Sequence, residues 1–242
     1  MKKRTLSRKE KIARNLLLAL CFGFVVWASR GGHMPTAELT FRQMERTRFL
    51  ARSEIMCTWE TPLSVGELGT YSARTVLVGR YTDQIAVGCL FQPNNPFGNR
   101  LTLWPREEGI TPVPLSALLQ GEDGTLFHVL LFLEVPEEAA GAQATITGRI
   151  ENAKEPVETI QGERWADGVW AFWFPIDSAL TTDGDLKYST KDLEGLPYTL
   201  ELYRTDGGPL AEQEGTLPEN FQSGVIYDPG LYDVLNDILL NQ

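Results

Sequence analysis

The most reactive side chains of this 242-residue chain belong to three cysteines and two histidines. Cys57 and Cys89 could form one disulfide bond if the chain enters an oxidising compartment. Alternatively, they are two small buried residues, since Cys89 lies on an alternating apolar stretch. His128 lies in another apolar stretch, where a general base would need a hydroxyl and a carboxylate close by. The pattern favours a strand histidine, and no histidine is placed in sequence to activate a cysteine nucleophile.

The acidic residues do not form a recognisable catalytic or metal site in the sequence. Residues 181–185 include two aspartates, but they lack the further ligands and the closing glutamate of an EF-hand. Glu107 and Glu108 are adjacent and point to opposite faces of a strand, whereas a glycosidase needs two carboxylates that face each other. The chain has no phosphate-binding glycine loop and no zinc-protease or nucleophile-elbow motif. We therefore expect no catalytic residue, no metal ion and no cofactor, with an envelope hydrolase as an alternative.

Three tryptophans in the second half of the chain could stack on sugar rings: Trp165, Trp170 and Trp173. Strand alternation places Trp170 and Phe172 on one face and Trp173 on the other. One of these faces must fill a core. Glycan binding is therefore a second alternative function, beside a purely structural role for these rings.

Charge divides the chain into a basic head and an acidic body. Residues 1–52 contain 12 Lys and Arg against 3 Asp and Glu, whereas residues 53–242 contain 10 against 29. An acidic body repels the phosphates of DNA and RNA, so we expect no nucleic-acid partner.

The basic head precedes an apolar segment that predicts attachment to a lipid bilayer. Residues 1–14 carry seven Lys and Arg and are predicted to be a cytoplasmic tail. Residues 15–29 carry no charge, and residues 12–29 would span about 27 Å as a helix. The predicted anchor consists of Leu16, Leu17, Leu18, Leu20, Phe22, Phe24, Val25, Val26 and Trp27.

This pattern predicts a single-pass protein of the cell membrane, with the remaining chain outside. Two other interpretations stay open. The segment could be a cleaved signal peptide, although Trp27 fits a cleavage site poorly, or it could be a buried core helix.

Residues 30–60 are predicted to be a linker followed by a juxtamembrane helix. The glycines and the proline of residues 31–35 favour a hinge, and a helix is expected from Ala37 to about Arg52. This basic helix could lie on anionic lipid, or it could pack on its own acidic domain.

Residues 61–242 have the strand and turn pattern of a mainly β domain. Alternating stretches recur every 10–15 residues, and Asp167-Gly168 and Asp206-Gly207 are hairpin signals. We predict an antiparallel β-sandwich that is loosely immunoglobulin-like. It would end in a short helix over residues 230–240, and residues 61–120 and 124–242 could be two subdomains.

Two stretches carry a resemblance to a known group of proteins. Residues 41–55 and residues 198–218 resemble the juxtamembrane segment and the C-terminal hairpin of uncharacterised, N-terminally membrane-anchored extracytoplasmic proteins of Clostridia-type bacteria. The resemblance implies a bacterial host with one membrane and no particular chemistry. Together with the charge pattern, it favours a non-catalytic binding or scaffolding protein of the bacterial envelope, whose partner is another envelope protein.

Overall fold

A computed structural model describes residues 8–29, 36–64, 66–69, 72–91, 98–147, 159–176 and 193–218. The chain divides into two compact units. One unit contains helix α1 (Arg8–Ser29), and the other contains helix α2 (Ala37–Thr47) and every described strand. The second is called the β-rich unit below.

The predicted membrane-spanning anchor is not supported by helix α1. Among the described residues, no helix combines the length and the apolar character that a bilayer crossing requires. Five charged residues occupy the N-terminal part of α1, through Arg14. The uncharged remainder is only about 22 Å long, whereas the hydrocarbon core is about 30 Å thick. The side chains of Val26 and Trp27 lie outside the described part of the chain.

The described strands form three antiparallel sheets. Sheet A has the order β1-β2-β3-β4 and contains β1 (Glu54–Glu60), β2 (Thr75–Arg80), β3 (Gln84–Leu90) and β4 (Arg100–Pro105). Sheet B has the order β10-β11-β7-β5, with β6 also paired to β7, and contains β5 (Thr111–Pro114), β6 (Leu119–Gln120), β7 (Leu126–Leu133), β10 (Glu163–Ala166) and β11 (Val169–Pro175). Sheet C has the order β13-β12-β8-β9 and contains β8 (Gly141–Ile146), β9 (Thr159–Gln161), β12 (Pro197–Tyr203) and β13 (Pro209–Thr216).

The mainly β, antiparallel character predicted from the sequence is confirmed, but the number of sheets differs. The predicted hairpins join β2 to β3, β10 to β11 and β12 to β13. Gly168 and Gly207 have φ values of 72° and 79°, which glycine adopts without strain. The strands of the described residues form three sheets where a two-sheet sandwich was predicted, and β1 lies within the segment expected to be linker and helix. The predicted helix at residues 230–240 lies outside the described residues.

Sheet B is the middle layer because its two longest strands are apolar on both faces. On β7, Val129 and Leu131 face a core shared with sheet A, while Leu130 and Phe132 face a second core shared with sheet C. Successive strand residues point to opposite faces, so a strand with large apolar residues on both faces needs cover on both sides. Sheets A and C provide that cover.

Helix α2 packs on the face of sheet A that sheet B does not cover. Phe41 is fully buried and Met44 is 6% exposed, in a third core with residues of β2, β3 and β4. A Cβ atom at Gly88 would lie 2.5 Å from Cδ2 of Phe41, so only glycine allows this close approach. The helix therefore packs on its own domain, which was one of the two alternatives left open by the sequence.

This close approach makes the effects of Phe41 and Gly88 depend on each other. Phe41→Ala should lower the free energy of unfolding by about 3–5 kcal/mol because it empties a buried site. Gly88→Ala should lower the free energy of unfolding of the native protein by about 1–3 kcal/mol through overpacking. In the Phe41→Ala background the same substitution should lower it much less. Urea denaturation of the two single variants and the double variant measures this coupling.

Leu39→Ala is the matched control, since Leu39 lies on the same helix and is 47% exposed. It should change the free energy of unfolding by less than about 0.5 kcal/mol. Additive effects of Phe41→Ala and Gly88→Ala would contradict the packing described for α2.

Candidate functional site

The two cysteines of the predicted disulfide are buried free thiols on different strands of sheet A. Cys57 lies on β1 and Cys89 on β3, with β2 between them. Two strand spacings place such residues roughly 10 Å apart, which is too far for a disulfide bond. Burial raises the pKa of both thiols to about 11, so they are protonated at neutral pH. Cys57 and Cys89 therefore fit the other interpretation, small residues that fill the core between sheets A and B.

His128 is a buried residue of the central strand β7. Its side chain is 2% exposed, and its cross-strand neighbour on β11 is Phe174. Within the described residues, no group of three His, Cys, Asp or Glu side chains could hold a metal ion. The acidic stretch at residues 181–185 lies outside the described part of the chain.

The three tryptophans considered for glycan stacking have different surroundings. Trp170 is 5% exposed and belongs to the core between sheets B and C. Trp165 and Trp173 are half-buried beside the core between sheets A and B. The structure therefore brings two of the three together and separates the third.

Trp59 completes a cluster of tryptophans that joins the edge strands of sheets A and B. Its ring stacks on Trp165 with centroids 4.9 Å apart and meets Trp173 edge-on at 5.5 Å. The indole nitrogens of Trp173 and Trp165 donate to Oε2 of Glu163 at 3.0 and 3.4 Å. Sequence reasoning missed Trp59 because it did not assign β1. The alternation of Cys57 and Trp59 with the polar residues Thr58 and Glu60 was the available signal, and a bulge between Ile55 and Cys57 turns Ile55 to the other face.

An open cleft of about 850 Å³ lies on the β-rich unit beside the β2–β3 hairpin. Its lining residues are Leu50, Ala51, Arg52, Glu54, Arg80, Tyr81, Thr82, Asp83, Gln84 and Arg106. The lining includes both arginines and carboxylates, so the charge of the cleft does not select for a cationic or an anionic ligand. Two of its arginines, Arg80 and Arg106, bind the carboxylate of the residue that follows β7.

That carboxylate belongs to Glu134, which connects sheets A and B. Arg106 binds it through two hydrogen bonds, with Nε at 2.9 Å and Nη2 at 2.6 Å, and Nη1 of Arg80 lies 3.2 Å from Oε1. Glu134 has a φ of 61°, a conformation that a non-glycine residue adopts only when its surroundings require it. Burial raises the pKa of Glu134, but the two guanidinium groups outweigh it and the pKa lies below its ordinary value.

A second ionic group fixes helix α2 to the strands beneath it. The carboxylate of Glu45, 2% exposed, accepts hydrogen bonds from Arg42 Nη1 at 2.8 Å, the Tyr81 hydroxyl at 2.8 Å and the Ser53 backbone N–H at 3.1 Å. Burial raises the pKa of Glu45, but hydrogen bonds from Ser53, Arg42 and Tyr81 outweigh it and the pKa is lowered. A buried charge with partners on all sides is a structural feature that holds α2 in place.

The face of sheet C that sheet B does not cover is polar and acidic. Glu201 on β12 pairs directly with Glu212 on β13, and Thr199 pairs with Glu214. The Tyr203 hydroxyl donates to Oε2 of Glu201 at 2.6 Å. Like charges placed directly opposite each other repel, so this face concentrates negative charge.

The link between Glu134 and the two arginines predicts a pH-dependent contribution to stability. A lowered pKa in the folded state means that the carboxylate stabilises the fold above its unfolded pKa, and this contribution is lost as the pH falls through the folded value. Glu134→Gln should lower the free energy of unfolding by about 1–3 kcal/mol at neutral pH. The difference from the native protein should shrink as the pH falls below the ordinary pKa of a glutamate and through the lower folded-state pKa of Glu134.

Urea denaturation between neutral and acidic pH measures this difference. Glu138→Gln, at an exposed position four residues away, is the control and should follow the native protein throughout. Parallel pH profiles for Glu134→Gln and the native protein would rule out an ionic link at Glu134.

The two tryptophan environments predict unequal losses of stability. Trp170→Ala should lower the free energy of unfolding by about 3–5 kcal/mol because it empties a buried site. Trp165→Ala should cost about 1–2 kcal/mol, since Trp165 is half-buried and loses mainly its aromatic contacts. Chemical denaturation followed by circular dichroism measures both, and equal losses would contradict the assignment of only Trp170 to a closed core.

Comparison of the chain with known proteins gave no relationship from which a function could be transferred. No family model, no curated protein and no solved structure matches it.

Proposed function

We propose that this protein is a bilayer-attached, non-catalytic binding protein. The observation that carries the proposal is the exposure of apolar side chains along α1. Leu16, Leu20 and Phe22 are 64%, 64% and 71% exposed, and neighbouring apolar residues of the helix are exposed to a similar degree. Moving several such side chains from water into lipid is worth on the order of 10 kcal/mol before the cost of ordering the helix.

The basic head supplies the second contribution to attachment. Residues 1–14 carry seven Lys and Arg, and each can gain about 1 kcal/mol beside anionic lipid. Attachment requires only that the uncharged part of α1 enters the hydrocarbon region.

The β-rich unit is the part that would bind a partner. The acidic outer face of sheet C, with Glu201, Glu212 and Glu214, complements a basic protein surface and repels nucleic acid. We infer that the partner is a protein with a basic face at the same membrane, in keeping with the expectation of an envelope partner.

The two alternative functions gain no support from the geometry of the described residues. A hydrolase would need His128 in an open pocket, but this residue is buried in the central sheet. Glycan binding would need tryptophan faces side by side on a surface. Trp170 is buried, and the rings of Trp59 and Trp165 stack on each other.

Flotation with lipid vesicles tests attachment through α1. The full chain should rise with vesicles of phosphatidylcholine and phosphatidylglycerol in a density gradient. A variant with Leu17→Asp and Leu20→Asp should float at least about tenfold less, because each charge opposes insertion by about 2.5–3.5 kcal/mol. Leu39→Asp places the same charge at an exposed leucine of the β-rich unit and is the control.

Two results would contradict the proposal. Failure of the full chain to float would exclude bilayer attachment. Equal flotation of the native chain and the α1 variant would show that α1 is not the attached segment.

A further inference from the structure

Helix α2 ends in a Schellman motif that has phenylalanine where glycine is usual. The Leu50 N–H donates to the Glu45 carbonyl at 2.9 Å, and the Phe49 N–H donates to the Arg46 carbonyl at 3.0 Å. Phe49 occupies the left-handed position of the motif, with a φ of 59°. A bulky side chain at this φ is unusual because its Cβ crowds the backbone. Glycine would meet the same geometric requirement without strain.

The side chain of Phe49 contributes almost nothing to the fold. It is 97% exposed, whereas the following residue, Leu50, packs against the core that contains Phe41 and Met44. The apolar contact that normally accompanies a Schellman motif is therefore made by Leu50. The packing of the β-rich unit does not explain a fully exposed phenyl ring at a strained backbone position.

The neighbours of Phe49 are basic, although the β-rich unit is acidic. Arg46, Arg48 and Arg52 lie within three residues of it, and Arg52 is 76% exposed. Arg46 is exposed and Arg48 is half-buried. Glu38 lies 3.6 Å from both Arg52 and Arg42, so it offsets the charge of Arg52 only in part. Residues 53–242, in contrast, carry 10 basic and 29 acidic residues. An apolar ring flanked by arginines complements the boundary between lipid tails and anionic headgroups.

We propose that Phe49 and its flanking arginines are a second membrane contact, by which the β-rich unit docks on an anionic bilayer surface. The phenyl ring would enter the headgroup region, and Arg46 and Arg52 would pair with lipid phosphates. The inference rests on the proposed attachment through α1. Residues 30–36 join α1 to α2, and seven residues extend at most about 25 Å. A bilayer that holds α1 is therefore within reach of α2.

An environment-sensitive fluorophore at position 49 tests this contact in the full chain. Phe49→Cys is labelled in a Cys21→Ser background, since Cys57 and Cys89 are buried and protected from the label in the folded protein. The matched control is Asp206→Cys, at an exposed turn of sheet C. Flotation of both labelled proteins is measured on the same vesicles of phosphatidylcholine and phosphatidylglycerol.

The label at position 49 should shift to shorter wavelength on these vesicles, while the label at position 206 should not shift. Arg46→Glu with Arg52→Glu should abolish most of the shift at position 49 without preventing flotation through α1. Flotation with no shift at position 49 would overturn the second contact and leave the α1 attachment standing. Absence of flotation would overturn both.

Phe49→Gly separates the membrane role from a role in folding. The variant should keep or raise the urea midpoint of unfolding, because glycine relieves the strained φ. It should also leave the vesicle surface more readily, with a severalfold higher salt sensitivity of flotation. A large loss of stability in Phe49→Gly would show that the ring serves the fold, and it would overturn the proposal.

Discussion

The architecture of the β-rich unit depends on one hydrophobic constraint, the burial of sheet B on both faces. Strands β7 and β11 carry large apolar residues at consecutive positions, so neither face of their sheet can remain in water. Sheet A covers one face and sheet C covers the other. Sheet A in turn has an apolar outer face, which α2 covers through Phe41 and Met44. The order of layers follows from the need to cover each apolar face in succession.

Polar interactions then fix how the layers lie at their margins. Glu134 binds Arg80 of β2 and Arg106, the residue after β4. Glu45 binds groups from both α2 and the β2–β3 hairpin. Hydrophobic contacts are not directional, so they hold layers together without fixing their relative orientation. Charged hydrogen bonds are directional and costly to break when buried, so they favour one arrangement of the layers. The Trp59, Trp165 and Trp173 cluster closes the edge between the same two sheets.

Helix α1 and Phe49 take no part in this packing, and both belong to the first 50 residues of the sequence. The apolar side chains of α1 and the ring of Phe49 are exposed, whereas Leu39 is the other large apolar residue of the described β-rich unit that is classed as exposed. Exposed apolar groups beside basic residues are the basis of the two lipid contacts proposed above. The acidic face of sheet C has the opposite character and suits a basic protein. We therefore propose that the basic, apolar N-terminal part binds lipid and that the acidic face of sheet C binds a protein partner.

The sequence by itself determined the local elements. Alternation marked most strands, Asp-Gly turns marked two hairpins, and the start of α2 at Ala37 followed from its flanking residues. These signals are local, because strand period and turn geometry depend on a few neighbouring residues. The end of α2 at Thr47 was not predicted, since the left-handed Phe49 that terminates it is an unusual choice.

Only the tertiary structure decided which faces meet. Trp59 and Trp165 are far apart in sequence, and their stacking follows from the neighbouring edges of sheets A and B. The separation of Cys57 from Cys89 follows from strand order, because β2 lies between their strands. An alternating pattern shows that a face is apolar, but it does not show which sheet will cover it. Which sheet covers an apolar face depends on packing between elements that are far apart in sequence. The same packing determines which side chains of the β-rich unit come together.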